Sequence, residues 1–338
     1  MRIFRLGDRG PEVHDIQQRL VALGSHVDAS ELDGTFGEST EAAVRTFQTS
    51  RNLQVDGRVG DDTWAQLVEA GWRLGDRTLY LRSPLHRGDD VRALQRKLNA
   101  LGFDAGKEDG LFGPRTDRAV REFQRNVGED ADGIVGNDTL TLLERMRPTE
   151  TGPGRAVVGE AEALRAMRSM SIEGQVVAID VGAAAAEDVT RHTIDALAAA
   201  LSRLGAKPVR LDEDDALASS ARARMANEMG ASLCLSVAFV SADPGSTGPT
   251  CSYFGSASTH SPAGMQLAQL ILDELEGAMA RPGRTKRLTN AILRETRMPA
   301  VVVEPMGSDD DASSLTDPGL PARVGAAIAT GVGRFFAD

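Results

Sequence analysis

One set of phrases is written twice in the first half of this chain. Asp33-Gly34-Thr35-Phe36-Gly37 returns as Asp109-Gly110-Leu111-Phe112-Gly113. Asp56-Gly57-Arg58-Val59-Gly60 returns as Asp132-Gly133-Ile134-Val135-Gly136. Between them lies Ala43-Val44-Arg45-Thr46-Phe47-Gln48 in one copy and Ala119-Val120-Arg121-Glu122-Phe123-Gln124 in the other. All three pairs keep a spacing of 76 residues (33 and 109, 43 and 119, 56 and 132). Chance does not hold register over that distance, so the first half is a tandem repeat of one small folding unit.

Each unit opens with a helical pattern. Val13, Ile16, Leu20 and Leu23 fall at helical spacing before Gly24, and Val91, Leu94, Leu98 and Leu101 do so before Gly102. Pro11 suits a first turn, where its missing N–H has no partner to lose. The Asp-Gly pairs supply the positive φ of tight reversals. A second helix carries Val44 and Phe47, or Val120 and Phe123. A third, led by Thr63 or Thr139, is anchored by Leu67 or Leu143. Three short helices make a small core, and these apolar positions read as that core.

The repeat pattern resembles the type 1 peptidoglycan-binding module over residues 5–70 and 84–147. The resemblance implies recognition of peptidoglycan, of a fragment of it or of a precursor. It does not assign the contacting side chains.

The bulk composition narrows the remaining choices. A net charge of −11 and 4% aromatic residues exclude a basic nucleic-acid face and a base-stacking platform. No apolar run at the start has signal-peptide length, and no stretch has transmembrane length. The expectation from this is a cytoplasmic protein. Cys234 and Cys251 sit in apolar strand-like text and read as a reduced, buried pair.

The domain organisation expected is repeat 1 over 1–74, repeat 2 over 75–147, a linker over 148–174 and a larger domain over 175–338. The linker is turn-rich from Pro148 to Gly154, and residues 159–170 read as a short helix. From Gln175 strands and helices alternate. Val176–Ile179, Pro208–Leu211, Leu233–Val237, Ser252–Phe254 and Ala300–Val303 read as strands. Helices are expected over His192–Leu204 (Ile194, Leu197, Leu201 and Leu204 on one face), roughly over 214–229, from Pro262 through Leu275, and around Val324, Ile328 and Val332. The fold class predicted is therefore multidomain: two all-α three-helix repeats, then an α/β domain with a mostly parallel sheet flanked by helices. Functional sites in such sheets lie at the carboxyl ends of the strands.

The larger domain resembles the zinc-dependent N-acetylmuramoyl-L-alanine amidases along most of 175–338. Ile179-Asp180-Val181-Gly182-Ala183-Ala184 stands where that family has a strand leading into Asp-Pro-Gly-His-Gly-Gly. Arg222, Ala226-Asn227, Ala231-Ser232 and Ser236-Val237-Ala238-Phe239-Val240 follow its middle section, which ends Ser-Ile-His-Ala-Asn. Pro299-Ala300-Val301-Val302-Val303-Glu304 follows its Pro-Ala-Val-Leu-Val-Glu. The departures matter most. The resemblance puts one zinc-ligating histidine at Ala183 and another at Ala238. It puts the glutamate ligand approximately at Glu187, after a shortened loop, and the catalytic glutamate at Glu304.

Catalytic zinc takes about three protein ligands and an open position for water. Alanine offers no lone pair, so no metal and no cofactor is expected. Glu304 is either a vestige of catalysis or a structural carboxylate that caps a helix or pairs with an arginine. Of the histidines, His14, His26 and His86 lie in the repeats; His192 and His260 show no ligand spacing and read as surface or helix-terminal. The acidic run Asp309–Asp311 reads as a solvated loop.

Twin wall-binding units, an emptied metal site and the linking phrase Gly75-Asp76-Arg77-Thr78-Leu79-Tyr80 are similar to the CwlM-type group of amidase-like proteins. That similarity implies a cytoplasmic regulator of peptidoglycan precursor synthesis, with the enolpyruvyl transferase MurA as partner. The alternatives are a working amidase that cleaves the bond between N-acetylmuramic acid and L-alanine, which would require zinc, and a binder resident in the wall.

Overall fold

The computed structural model describes residues 3–146, 164, 170–182, 187–211, 218–239, 245–256, 259–310 and 312–337. The short helix expected over 159–170 falls largely outside the described residues.

Each repeat is built on three helices: α1 (Pro11–Ala22), α2 (Glu38–Ser50) and α3 (Asp61–Glu69) in the first, α4 (Asp89–Ala100), α5 (Pro114–Val127) and α6 (Asn137–Arg145) in the second. The four Asp-Gly turns place Gly34, Gly57, Gly110 and Gly133 at φ between 74° and 88°, the left-handed region that glycine enters without steric cost. The Asp of the turn and a helix glutamine lock together. Gln124 donates its amide to Asp132 Oδ1 at 2.7 Å and to the Ile134 carbonyl at 3.1 Å. Gln48 donates to Asp56 Oδ1 at 2.8 Å, and Gln95 to Asp109 Oδ1 at 2.8 Å. The repeated phrase Phe-Gln is thus half core and half turn clamp.

Single antiparallel bridges, Phe4 with Val59 and Leu79 with Val135, tie the entry of each repeat to its second turn. Val13, Ile16, Leu20, Val44, Phe47 and Leu67 are buried as expected, as are Val91, Leu94, Leu98, Val120, Phe123 and Leu143. Leu23 departs from the expectation. It caps the end of α1 and is exposed, because the helix stops before its side chain reaches the core.

The α/β domain comprises β1 (Val176–Val181), α7 (Glu187–Arg203), β2 (Lys207–Arg210), α8 (Ser219–Glu228), β3 (Leu233–Val237), β4 (Thr250–Phe254), α9 (Pro262–Met279), β5 (Arg284–Leu288), α10 (Ala291–Glu295), β6 (Ala300–Glu304) and α11 (Leu320–Ala337). The strand order is β2-β1-β3-β6-β4-β5. Every neighbouring pair is parallel except β4 with β6. Helices α7, α9 and α11 cover one face through Leu197, Leu201, Leu267, Ile271, Val324 and Ile328. Helices α8 and α10 cover the other through Ala223, Ala226, Ile292 and Leu293. Helix α11 approaches its neighbours closely. A β-carbon at Gly325 would stand 2.7 Å from the Leu197 nitrogen, and one at Gly331 would stand 2.7 Å from the Ile271 α-carbon.

Three sequence expectations change here. Strand β5 was not anticipated, since Arg-Thr-Lys-Arg-Leu lacks an apolar run; it lies at the edge of the sheet, where charged side chains are tolerated. Helix α7 begins at Glu187 rather than His192. Leu204 follows its last turn and is exposed.

Candidate functional site

Three adjacent parallel strands end side by side. Val181 pairs with Val237 and Val237 with Val303, so the next residues of β1, β3 and β6 are Gly182, Ala238 and Glu304. The Gly182 amide donates to the Val237 carbonyl at 2.9 Å, and the Ala238 amide to the Val303 carbonyl at 3.0 Å. Ala238 therefore sits between Gly182 and Glu304 at the carboxyl edge of the sheet. It is buried, and a β-carbon on Gly182 would meet the Ala238 methyl at 2.9 Å. Ala183 lies outside the described residues. Glu187 opens α7, and its side chain is likewise outside them.

Glu304 is buried at the end of β6, in register with Thr250 of β4. Burial pushes the neighbouring Cys251 thiol up, and the Glu304 carboxylate pushes it further. Cys251 and Cys234 are both buried and unbridged, as the sequence predicts. Thr250 and Ser252 carry buried hydroxyls with no hydrogen-bond partner among the described residues, so this edge of the sheet keeps a polar lining.

The donor set does not suit zinc. Among the described residues no three His, Cys, Asp or Glu side chains form a group that could hold a metal ion. His192 is exposed on α7, and His260 bridges to Gly255 with its ring edge-on to Tyr253. One carboxylate beside a methyl group lacks the three donors that a catalytic zinc needs.

Two residues behind this edge lies a polar cluster that the sequence did not reveal as a unit. Asp180 of β1 is buried and ion-paired with Arg222 Nε of α8. Ser236 Oγ of β3 donates to its other oxygen at 2.7 Å. All three residues belong to the family-like phrases, and the structure joins them in one network.

The segment after β6 is held firmly. The Met306 amide donates to the Phe239 carbonyl at 3.2 Å. A β-carbon on Gly307 would stand 2.1 Å from the Ser246 carbonyl oxygen, so only glycine fits there. Asp310 corrects the reading of 309–311 as a solvated loop. Its side chain is 2% exposed; it accepts the amides of Gly307 at 2.8 Å and Gly248 at 3.0 Å and pairs with Arg281. A tight turn leaves amides that need an acceptor, and the carboxylate supplies it. Asp311 is outside the described residues.

His86 is buried in the second repeat. No signal in the sequence marks it, because its match with Asp8 of repeat 1 comes from backbone hydrogen bonds.

Two family models define the class, a protein that joins peptidoglycan-binding modules to an amidase-type domain. The family model for the putative peptidoglycan binding domain matches residues 9–67 and 87–143. The model for N-acetylmuramoyl-L-alanine amidase matches residues 173–334. N-acetylmuramoyl-L-alanine amidase CwlM of Mycobacterium tuberculosis is 33% identical, over 89% of this chain and 81% of its own length. The chain belongs to the N-acetylmuramoyl-L-alanine amidase family, in the CwlM-type arrangement of two binding repeats before the amidase domain. N-acetylmuramoyl-L-alanine amidase CwlL of Bacillus licheniformis is 34% identical over 43% of this chain and 46% of its own. The crystal structure of the amidase Ami1 from Mycobacterium smegmatis aligns with 49% of this chain and 99% of its own at 20% identity, with a TM-score of 0.42.

Proposed function

We propose that this protein is a peptidoglycan-related binding and regulatory protein whose amidase domain is catalytically dead. The observation that carries the reading is the buried methyl of Ala238, packed against Gly182 where the family resemblance places a zinc-ligating imidazole. Without that ligand, and with alanine again at position 183, metal-bound water has no holder and amide hydrolysis has no nucleophile. Glu304 is then a vestige: a carboxylate at the right strand end with no metal to work beside.

The repeats bind a peptidoglycan fragment or precursor, and the protein works in the cytoplasm on precursor synthesis through an enolpyruvyl transferase of the MurA type. The support for this partner and this compartment is the CwlM-type arrangement. No helix among the described residues is long and apolar enough to cross a membrane. The direct test is the steady-state rate of purified MurA from the same source with and without the full chain. Stimulation that saturates with added protein supports the reading. An unchanged rate, together with no complex on gel filtration, refutes the partner.

The retained Glu304 favours a second reading, an active N-acetylmuramoyl-L-alanine amidase. That reading requires zinc, and cleavage of a muropeptide that a chelator abolishes would establish it.

A further inference from the structure

The two repeats share a frame but not a surface. Beside the Phe4–Val59 bridge of repeat 1, the next cross-strand neighbours are Arg5 and Arg58, both exposed. Beside the Leu79–Val135 bridge of repeat 2, the same stations hold Tyr80 and Ile134, 41% and 42% exposed. Cross-strand neighbours in an antiparallel pair project from one face. Repeat 2 therefore presents an aromatic–aliphatic platform where repeat 1 presents two cations.

A second difference adjoins the platform. Asp8 and His86 hold equivalent stations, since their carbonyls accept the amides of Phe36 at 2.9 Å and Phe112 at 3.0 Å. The Asp8 carboxylate accepts the Arg5 amide at 2.9 Å and closes its own turn. His86 is 6% exposed, and neither ring nitrogen has a hydrogen-bond partner among the described residues. A buried imidazole without a partner costs free energy, so the ring sits there for its packing contact. Its ring stands edge-on to Tyr80, 5.2 Å between centroids. Burial lowers its proton affinity, and the positive fields of Arg82 and Arg77 lower it further against the opposing Asp90 carboxylate.

The segment is braced for this. Arg77 lies over the Trp72 ring at 4.3 Å, pairs with Asp90 at 2.7 Å and donates to the Arg87 carbonyl at 2.6 Å. Arg77 is thereby committed to the fold. Arg82 is exposed and donates only its Nε, to the Pro84 carbonyl at 3.1 Å, among the described contacts.

We infer that repeat 2 alone carries the muropeptide contact: an N-acetylated sugar ring stacks on Tyr80 and Ile134, the buried His86 ring backs Tyr80, and Arg82 takes the carboxylate. The inference rests on the proposed peptidoglycan reading of the repeats and gives it an address. An amphipathic ring with C–H faces and a nearby acid matches an aromatic platform flanked by a guanidinium.

The test uses the full chain and the soluble probe N-acetylmuramoyl-L-alanyl-D-isoglutamine, with calorimetry for affinity and ring-proton NMR of the histidines. The wild type should bind, with the His86 ring resonances moving on titration. Tyr80→Ala and Ile134→Ser, both at exposed positions, should each weaken binding about tenfold or more, and Arg5→Ala should not. Binding by the wild type that Tyr80→Ala and Ile134→Ser leave unchanged, or an unmoved His86 ring, would overturn this address while leaving a peptidoglycan-binding protein. No binding by the wild type would overturn both the address and the reading beneath it.

Discussion

Arg222 Nε, from helix α8, is paired with a carboxylate oxygen of Asp180 buried on strand β1. The other oxygen takes the Ser236 hydroxyl at 2.7 Å from β3. This network sits two residues behind Gly182 and Ala238, at the edge where the family's metal chemistry would operate. It braces β1 against β3 whether or not any chemistry takes place, which explains how an amidase frame persists around Ala238.

Arg222→Ala would leave the Asp180 charge in the interior without its cation. The expected loss is about 3 kcal/mol of stability, read by urea unfolding of the full chain. Asp180→Asn combined with Arg222→Met should recover part of it, because no buried charge then remains. A single variant as stable as the wild type would contradict this account of the network.

Glu31 makes the first repeat sensitive to acid. Burial opposes its ionisation, but hydrogen bonds from Ser39 and Thr40 at the start of α2 outweigh burial and bring its carboxyl from the ordinary 4.5 to about 2. A depressed folded value means that the stabilisation is whole above about pH 4.5 and fades as pH falls towards 2. Glu31→Gln should lower the thermal midpoint at pH 7 and flatten its decline between pH 4.5 and 2. A wild-type slope retained in the variant would rule the carboxylate out.

Asp310 holds the turn after β6. Asp310→Ala removes the acceptor of the Gly248 and Gly307 amides and the partner of Arg281. Hydrogen exchange at those two amides should quicken by about tenfold or more, the equivalent of about 1.4 kcal/mol. Unchanged protection would show that the turn is held by other contacts.

The cysteines give a check on burial. Cys234 and Cys251 are both inaccessible, and burial with the nearby Glu304 disfavours the Cys251 thiolate. An aromatic disulfide reagent should titrate no thiol in the native protein and both in denaturant. Rapid native reaction at Cys251 would mean that the sheet edge is more open than described.

Much of this was legible in the sequence, and the reasons are physical. The repeat cores follow from apolar spacing and from glycines that must take positive φ, so Phe47, Phe123, Gly57 and Gly133 could be placed unaided. The central strands follow from their composition, since β1, β3 and β6 are apolar enough to be buried on both faces. What escaped depends on partners remote in sequence. Asp310 looks solvated in an acidic run until Gly248 and Arg281 come to meet it. Asp180, Arg222 and Ser236 become one network only when the sheet forms. Strand β5 carries Arg284, Lys286 and Arg287, and its identity comes from pairing with β4 rather than from its own composition. His86 emerges only when the repeats are superposed through their bridges.

The central claim concerns metal. The full chain, purified without chelator and dialysed against micromolar zinc, should carry far less than one equivalent by atomic emission and release no stem peptide from muropeptide. One tightly bound equivalent, with cleavage that a chelator abolishes and Glu304→Gln removes, would contradict the account.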